Sequence, residues 1–185
     1  DMASTLKINK LDTARGTTNT IPTGKVVVGT DAGTFKQHGS SDQLVRNQVN
    51  QTSHANSDSS SYFTIGNSVV TITPKYSNSL IRLVFSMYLH IQTGSPYYVY
   101  TVFRAISGGS TTNLGDGSGG QFGMIAEGAD TTDNGYIRFH LEFYDAPSTT
   151  SATTYTLQFK KTQGSYSLFA HQSGRNEFIA EEIAQ

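Results

Sequence analysis

Residues 136–145 read Tyr136-Ile137-Arg138-Phe139-His140-Leu141-Glu142-Phe143-Tyr144-Asp145. Ile137, Phe139, Leu141 and Phe143 alternate with Tyr136, Arg138, His140, Glu142 and Tyr144. This is the period of two with which a strand sends successive side chains to opposite faces. The stretch predicts a strand with one face in a core and the other polar.

The same pattern extends in both directions. Leu80 to Ile91 places Ile81, Leu83, Phe85, Met87, Leu89 and Ile91 on one face; Leu80, Arg82, Val84, Ser86, Tyr88 and His90 fall on the other. After a turn at Gly94-Ser95-Pro96, Tyr97 to Ile106 reads as a strand with apolar groups on both faces. Thr153 to Thr162 alternates Tyr155, Leu157 and Phe159 with Thr154, Thr156, Gln158 and Lys160. Gln163-Gly164-Ser165 predicts a hairpin turn into Tyr166 to Ala170. Shorter strands are expected at Tyr62–Ile65 and Val69–Thr73, on either side of Gly66-Asn67, and at Gln121–Glu127. At Asn176–Ala184 the Phe178-Ile179 pair favours a strand over a short helix. About eight to ten strands at roughly ten-residue spacing, with no fixed repeat, predict an all-β antiparallel jelly-roll sandwich.

Composition agrees. Charged residues make up 15% of the 185, too few for long solvent-facing helices. Ten Tyr and ten Phe carry much of the available core. A net charge of −1 argues against a general nucleic-acid binder, which carries a basic excess. The absence of Cys excludes disulfide scaffolds, Cys-ligated metals and thiol catalysis. No apolar run is long enough for a membrane-spanning helix, and the first residues lack the apolar stretch of a signal peptide. Met2 reads as a start residue behind one added residue, the expectation being a protein made in a cytoplasm.

Residues 1–60 differ from the rest. Apart from a strand candidate at Lys25-Val26-Val27-Val28-Gly29, they are polar and turn-rich, with Leu44, Val45 and Val49 as the anchors from residue 30 onward. Such a segment buries too little apolar area to form its own core. The expectation is an extended N-terminal arm over 1–60 and a jelly-roll domain over 61–185.

Three short stretches carry a resemblance: Met2-Ala3-Ser4-Thr5-Leu6-Lys7-Ile8-Asn9; Val69-Val70-Thr71-Ile72-Thr73-Pro74 with Ser79-Leu80-Ile81-Arg82-Leu83; and Phe178-Ile179-Ala180-Glu181-Glu182-Ile183. Together with the Ser/Thr-rich turn at Ser148–Thr156, they resemble the tail-fibre and fibre-knob proteins of marine bacteriophages. Lys10 and Leu80 depart from the pattern, where Thr and Lys are usual. The resemblance implies a trimeric jelly roll of the complement globular-head and tumour-necrosis-factor (C1q/TNF-like) type. It would be displayed on a virion, joined to other virion proteins by its N-terminal arm, and used to engage a host-surface glycan or protein. A decoration or connector protein without receptor binding is the alternative, and a carbohydrate-active hydrolase is a third reading.

Candidate sites follow from residue chemistry. Loops around Gly94–Tyr98, Ser107–Gly120 and Gly128–Tyr136 combine Gly, Ser, Thr, Asn and Asp with Tyr at their edges, a composition suited to adaptable binding. Tyr97, Tyr98, Asn113, Asp116 and Tyr136 are the receptor-contact candidates. The apolar second faces of two strands assign Val84, Tyr88, Tyr98, Tyr100 and Val102 to a trimer interface. His140 and Glu142 share a strand face, but no third metal ligand accompanies them. Gly115-Asp116-Gly117-Ser118-Gly119-Gly120 lacks the Lys-Ser/Thr of a phosphate loop. Asp116, Asp130 and Asp133 fit no EF-hand spacing. Gly117-Ser118-Gly119 lacks the strand–turn–helix setting of a hydrolase elbow, and Glu127 and Glu142 are the strand-borne acids near mid-chain. No catalytic residue, cofactor or metal is assigned, and the expectation is a protein without enzymatic activity.

Overall fold

A computed structural model describes residues 41–50, 55–57, 59–91, 97–115, 120–126, 135–163, 168–170 and 175–185. Every regular element among them is a strand: β1 (Ser41–Asn50), β2 (Ala55–Ser57), β3 (Phe63–Ile72), β4 (Leu80–Ile91), β5 (Tyr97–Ile106), β6 (Thr111–Asn113), β7 (Gly123–Ala126), β8 (Gly135–Asp145), β9 (Thr153–Gln163), β10 (Leu168–Ala170) and β11 (Arg175–Ile183). The first sheet runs β1-β11-β4, with β8 on the far edge of β4 and the short β10 and β2 beside its C-terminal end. The second runs β3-β9-β5, with β6 and β7 sharing the far edge of β5.

The pairing is nested. Setting aside β2 and β10 and counting β6 and β7 as one interrupted strand, the first principal strand pairs with the last (β1 with β11), the second with the seventh (β3 with β9), the third with the sixth (β4 with β8) and the fourth with the fifth (β5 with β6 and β7). All these pairs are antiparallel, as they must be when a long ribbon of paired strands rolls up into two sheets. The all-β antiparallel jelly-roll sandwich expected from the sequence is the observed fold.

Alternation selects the buried faces. Ile81, Leu83, Phe85, Met87 and Leu89 of β4 are fully buried, and Tyr155, Leu157 and Phe159 of β9 lie opposite them. Phe139, Ile137, Leu141 and Phe143 of β8 pack on the same core. Tyr100 meets Phe139 edge-on at 4.9 Å and Phe139 meets Phe159 at 5.6 Å, which joins the sheets through aromatic contacts. The C-terminal segment is a strand, as read, with Phe178 and Ala180 inward.

Four local features correct the sequence reading. First, the sandwich begins before residue 61: β1 pairs with β11 over Ser41 to Asn50, and Val45 and Val49 pack on the core. A segment too polar to hold a core alone is held here by the last strand, within a compact unit that starts at Lys36. Residues 1–40, including the Lys25–Gly29 strand candidate, lie outside the described residues. Second, Phe63–Ile72 is one strand with a bulge. Thr64 pairs with Gln158 and Val69 with Thr156, so the four residues 65–68 stand opposite Leu157 alone; Asn67 takes positive φ (52°) and buried Ser68 donates to Leu157 O at 2.8 Å. Third, β9 and β10 are not a hairpin, because β9 lies in the second sheet and β10 in the first. Fourth, Tyr98 and Val102 are fully buried in the chain's own core, and Tyr100 faces the same core. They are therefore not residues of an interface with another copy. The opposite face of β5, with Val99 and Thr101 buried, is covered from within the chain.

One polar cluster ties the two sheets together. Asp145, ending β8, accepts two bonds from Arg104 Nη1 of β5 (2.8 and 3.0 Å) and one from the Tyr155 hydroxyl of β9 (2.7 Å). The Arg104 and Asp145 side chains are 18% and 10% exposed. Burial first, and the neighbouring carboxylate second, push the Tyr155 phenol well above its ordinary range, so it stays a donor at every accessible pH. At the same end, Glu182 is fully buried and accepts from the backbone amides of Lys75 and Tyr76 (2.8 to 3.0 Å), fixing the turn after Pro74.

Two predictions follow from this end of the sandwich. Asp145→Ala leaves the Arg104 guanidinium buried without its carboxylate, and loses about 3 kcal/mol of unfolding free energy in urea titration. Tyr155→Phe removes one hydrogen bond while keeping the ring, and costs about 1 kcal/mol in the same assay.

Candidate functional site

The two ends of the sandwich differ. Ser41 pairs with Ile183, so β1 starts where β11 finishes. Leu80 and Asp145 lie at this same end, which carries the turn of residues 73–79, residues 107–110 and residues 146–152. At the opposite end Ile91 pairs with Gly135 and Leu168, and Tyr97 pairs with Ala126 and Gln163. The connections 92–96, 127–134 and 164–167 therefore start and finish at that end. Two of the three expected receptor loops are flanked there, around Gly94–Tyr98 and Gly128–Tyr136. The third is not: Ile106 pairs with Thr153 at the end where the chain enters, and the segment beyond Thr111 runs along the edge of the second sheet.

That third segment is a constricted excursion. Leu114 N donates to Val102 O and Phe122 N to Tyr100 O, both at 2.9 Å, so residues 113–123 follow β5 except where 115–120 leave it. The Asn113 side chain closes the base of the excursion. Its Nδ2 donates to Gly120 O at 2.8 Å, and its Oδ1 accepts from Gly115 N at 3.0 Å and from the Thr101 hydroxyl. Tyr62 crosses the same place, donating its hydroxyl to Gly120 O at 3.0 Å, with Phe103 edge-on at 5.4 Å and Lys160 Nζ over its ring at 5.4 Å. Burial raises the Tyr62 phenol, and Asn113 pulls it partly back. This cluster covers the outer face of β5, where Thr101 is fully buried.

Glycine is required at two positions in this neck. A Cβ on Gly115 would lie 2.5 Å from the Gly120 carbonyl carbon, and one on Gly120, at φ 69°, would lie 2.6 Å from Asn113 Nδ2. Gly108 has φ 77° but open space around it.

The site residues read from sequence are thus dispersed. Tyr97 is half-buried at the loop-bearing end, where its carbonyl accepts from Thr162 Oγ1 at 3.2 Å. Tyr136 is half exposed but stands on a strand face: its ring stacks on His90 at 4.6 Å and on Tyr88 at 6.1 Å. Tyr98 lies fully buried in the core, which corrects it as a receptor contact, and Asn113, half-buried, bonds its amide to the chain's own backbone. Asp116 lies outside the described residues, as do Asp130 and Asp133. Of the interface candidates, Tyr88 is half-buried on the outward face of β4. Val84 shares that face but is only 8% exposed, flanked by its cross-strand partners Ile179 and Glu142.

The outward face of the first sheet carries the strongest electrostatics. Arg82 Nε meets Glu142 at 2.7 Å and its Nη1 meets Glu181 at 3.0 Å, linking β8, β4 and β11; Arg46 pairs with Glu177 farther along. Arg82 holds the Glu142 carboxyl below its ordinary range. Glu142 is therefore occupied by a cation on the chain itself, and among the described residues no three His, Asp or Glu side chains gather to hold a metal ion. Sequence reasoning missed Arg104, Asp145 and Tyr155. The available signal was an Arg within an apolar strand and an Asp closing the most regular one.

No known protein family matches the chain, and no curated protein does. Among solved structures, it is similar to the VP2 subviral particle of infectious bursal disease virus, with 12% identity over 86% of this chain and 37% of that one, at a TM-score of 0.43. The T=1 particles of the same virus give 14% identity over 87% and 41%, at 0.34. Its T=13 particle gives 14% over 87% and 40%, at 0.34. The chain thus spans about two-fifths of the length of these solved chains.

The neck yields a prediction. Gly115→Ala forces two backbone segments apart and costs about 2 kcal/mol. Gly108→Ala, which meets only the backbone penalty of positive φ, costs about 1 kcal/mol. Asn113→Ala speeds proteolytic cleavage within residues 115–120 relative to wild type. All three are read by thermal unfolding and limited proteolysis.

Proposed function

We propose that the protein is a virion structural protein of the fibre or fibre-tip kind, which assembles as a homotrimer and binds a host-surface receptor, by preference a glycan. The observation that carries this reading is the polarity of the sandwich. The first described strand begins and the last ends on one side, at Ser41 and Ile183, while the described flanks of three connections, among them Tyr97 and Gly135, stand on the opposite side. A fibre tip needs that division, with one end for attachment and a far end for contact. The nested strand order supports a head of the complement and tumour-necrosis-factor type, to which the sequence resemblance also points.

In this reading the trimer forms on the outward face of the first sheet, where Tyr88 and the 57%-exposed Leu44 supply apolar area around the Arg82 ion pairs. It does not form on β5, whose residues are used within the chain. Three copies of each loop on one axis would turn weak single-site binding into avidity. Residues before Ser41 serve as the link to other virion proteins.

Two measurements test this reading. Sedimentation equilibrium at micromolar concentration is expected to include a species of three 20.0 kDa chains, and the Leu44→Glu, Tyr88→Glu variant is expected to lose it. On a glycan array the wild type is expected to bind without releasing reducing sugar, and Tyr97→Ala to weaken binding sharply at unchanged mass. Capture by virion proteins with no cell or glycan binding would make it a connector or decoration protein instead.

A further inference from the structure

Four strands form the edges of the two principal sheets, and three of them are interrupted. The edge at β3 carries the four-residue bulge at 65–68, and the edge at β6 and β7 is broken by the excursion at 115–120. The edge at β1 shifts register between Ser41 and Gln43. Natural sheets blunt their edges in this way because a regular unpaired strand invites another strand to add to it. The fourth edge, β8, is not blunted. It pairs with β4 in unbroken register from Gly135 to Asp145, contains no Pro, and among the described residues pairs with no strand on its other side.

Its outward residues also read as their own complement. When two copies of β8 run antiparallel about a two-fold axis at His140, Arg138 of one copy stands opposite Glu142 of the other, and Tyr136 stands opposite Tyr144. Tyr136 and Tyr144 are 50% and 55% exposed in the single chain, and this register sets these two exposed rings against each other. On the inward side the same register opposes Ile137 to Phe143 and Phe139 to Leu141; of these, Ile137, Leu141 and Phe143 are only partly buried in one chain. Shifts of two residues lose the match: centred on Phe139, the strand opposes Arg138 to His140; centred on Leu141, it opposes Arg138 to Tyr144. A head-to-tail pairing of β8 with β1 of another copy would leave new edges free and propagate, whereas the two-fold pairing closes.

We infer that β8 is an interaction edge whose partner is β8 of a second copy, joined antiparallel in the register that sets Arg138 against Glu142 and extends the first sheet across two chains. The contact uses the edge of β8 and the proposed three-fold assembly uses the outward face of the same sheet, with Glu142, bonded to Arg82, bordering both; a trimer using both surfaces would be linked to other trimers through this edge.

The chain has no Cys, so a single introduced thiol reports the register directly. In this pairing the Cα atoms of the two residues 140 lie about 4.5 to 5.5 Å apart, within disulfide reach. The two residues 138 are offset by four positions each, or roughly 13 Å, and are out of reach. Under mild oxidation His140→Cys is expected to give a two-chain band on a denaturing gel, and Arg138→Cys to stay a single chain. Adding Arg138→Glu to His140→Cys is expected to slow cross-linking roughly fivefold by opposing like charges. Equal cross-linking at positions 138 and 140, or none at 140, overturns the inference. Because the gel reads a covalent pair and sedimentation reads native mass, loss of the three-chain species with the cross-link intact would overturn only the trimer.

Discussion

Asp145 is the point on which the sandwich closes. Its carboxylate stands at the end of β8 in the first sheet, and both of its partners, Arg104 and Tyr155, come from the second. Hydrophobic burial between two sheets is non-directional and tolerates sliding. A mostly buried charge bonded by three donated hydrogen bonds is not tolerant, since removing either partner leaves a desolvated group uncompensated. The register of β5 against β9 places Arg104 beside Tyr155, so a single carboxylate reads both strands at once. Ser107 N bonding to Ala152 O at 2.8 Å seals the same end.

The opposite end is organised by substitution of side chains for missing ladder bonds. β4 is paired with β11 as far as Ser86 and with β10 from Leu89 onward. At the changeover the Tyr88 amide finds the Asn176 side-chain carbonyl at 3.0 Å instead of a strand. A polar side chain inside a β-sandwich costs free energy unless it is hydrogen-bonded, and here it completes the backbone accounting. The same logic puts Ser68 in the β3 bulge and Asn113 in the neck beside β5. Each polar residue sits where a strand departs from regularity.

These two kinds of end give the proposed function its geometry. One end holds Asp145, Glu182 and the first residues of β1, all tied by charge-assisted or multiple hydrogen bonds. The far end carries the flanks of three connections and the stacked rings of Tyr136, His90 and Tyr88. A rigid frame with its anchors at one end and its connections at the other is suited to presenting those connections to a surface.

The amino-acid sequence by itself determined the class of fold and which residues face inward on β4, β8 and β9, because the period of two is a local property and each of those strands has one apolar face. It also located the Gly/Ser/Thr loops and the polarity of the first sixty residues. Only the tertiary structure decided β5, whose two faces are both apolar: Tyr100 and Val102 register with Phe159 and Leu157 and, with Tyr98 on the same face, went to the core. On the other face Thr101 bonds Asn113 and Phe103 meets Tyr62, both from the same chain. The membership of β1 likewise rested on a partner 130 or so residues away, as the pairing of Leu44 with Glu181 shows, and loop-spanning contacts of that kind leave no local period. The joining of Arg104, Asp145 and Tyr155 was invisible for the same reason. A charge in a strand looks like a solvated residue until the opposite sheet supplies the group that pairs with it.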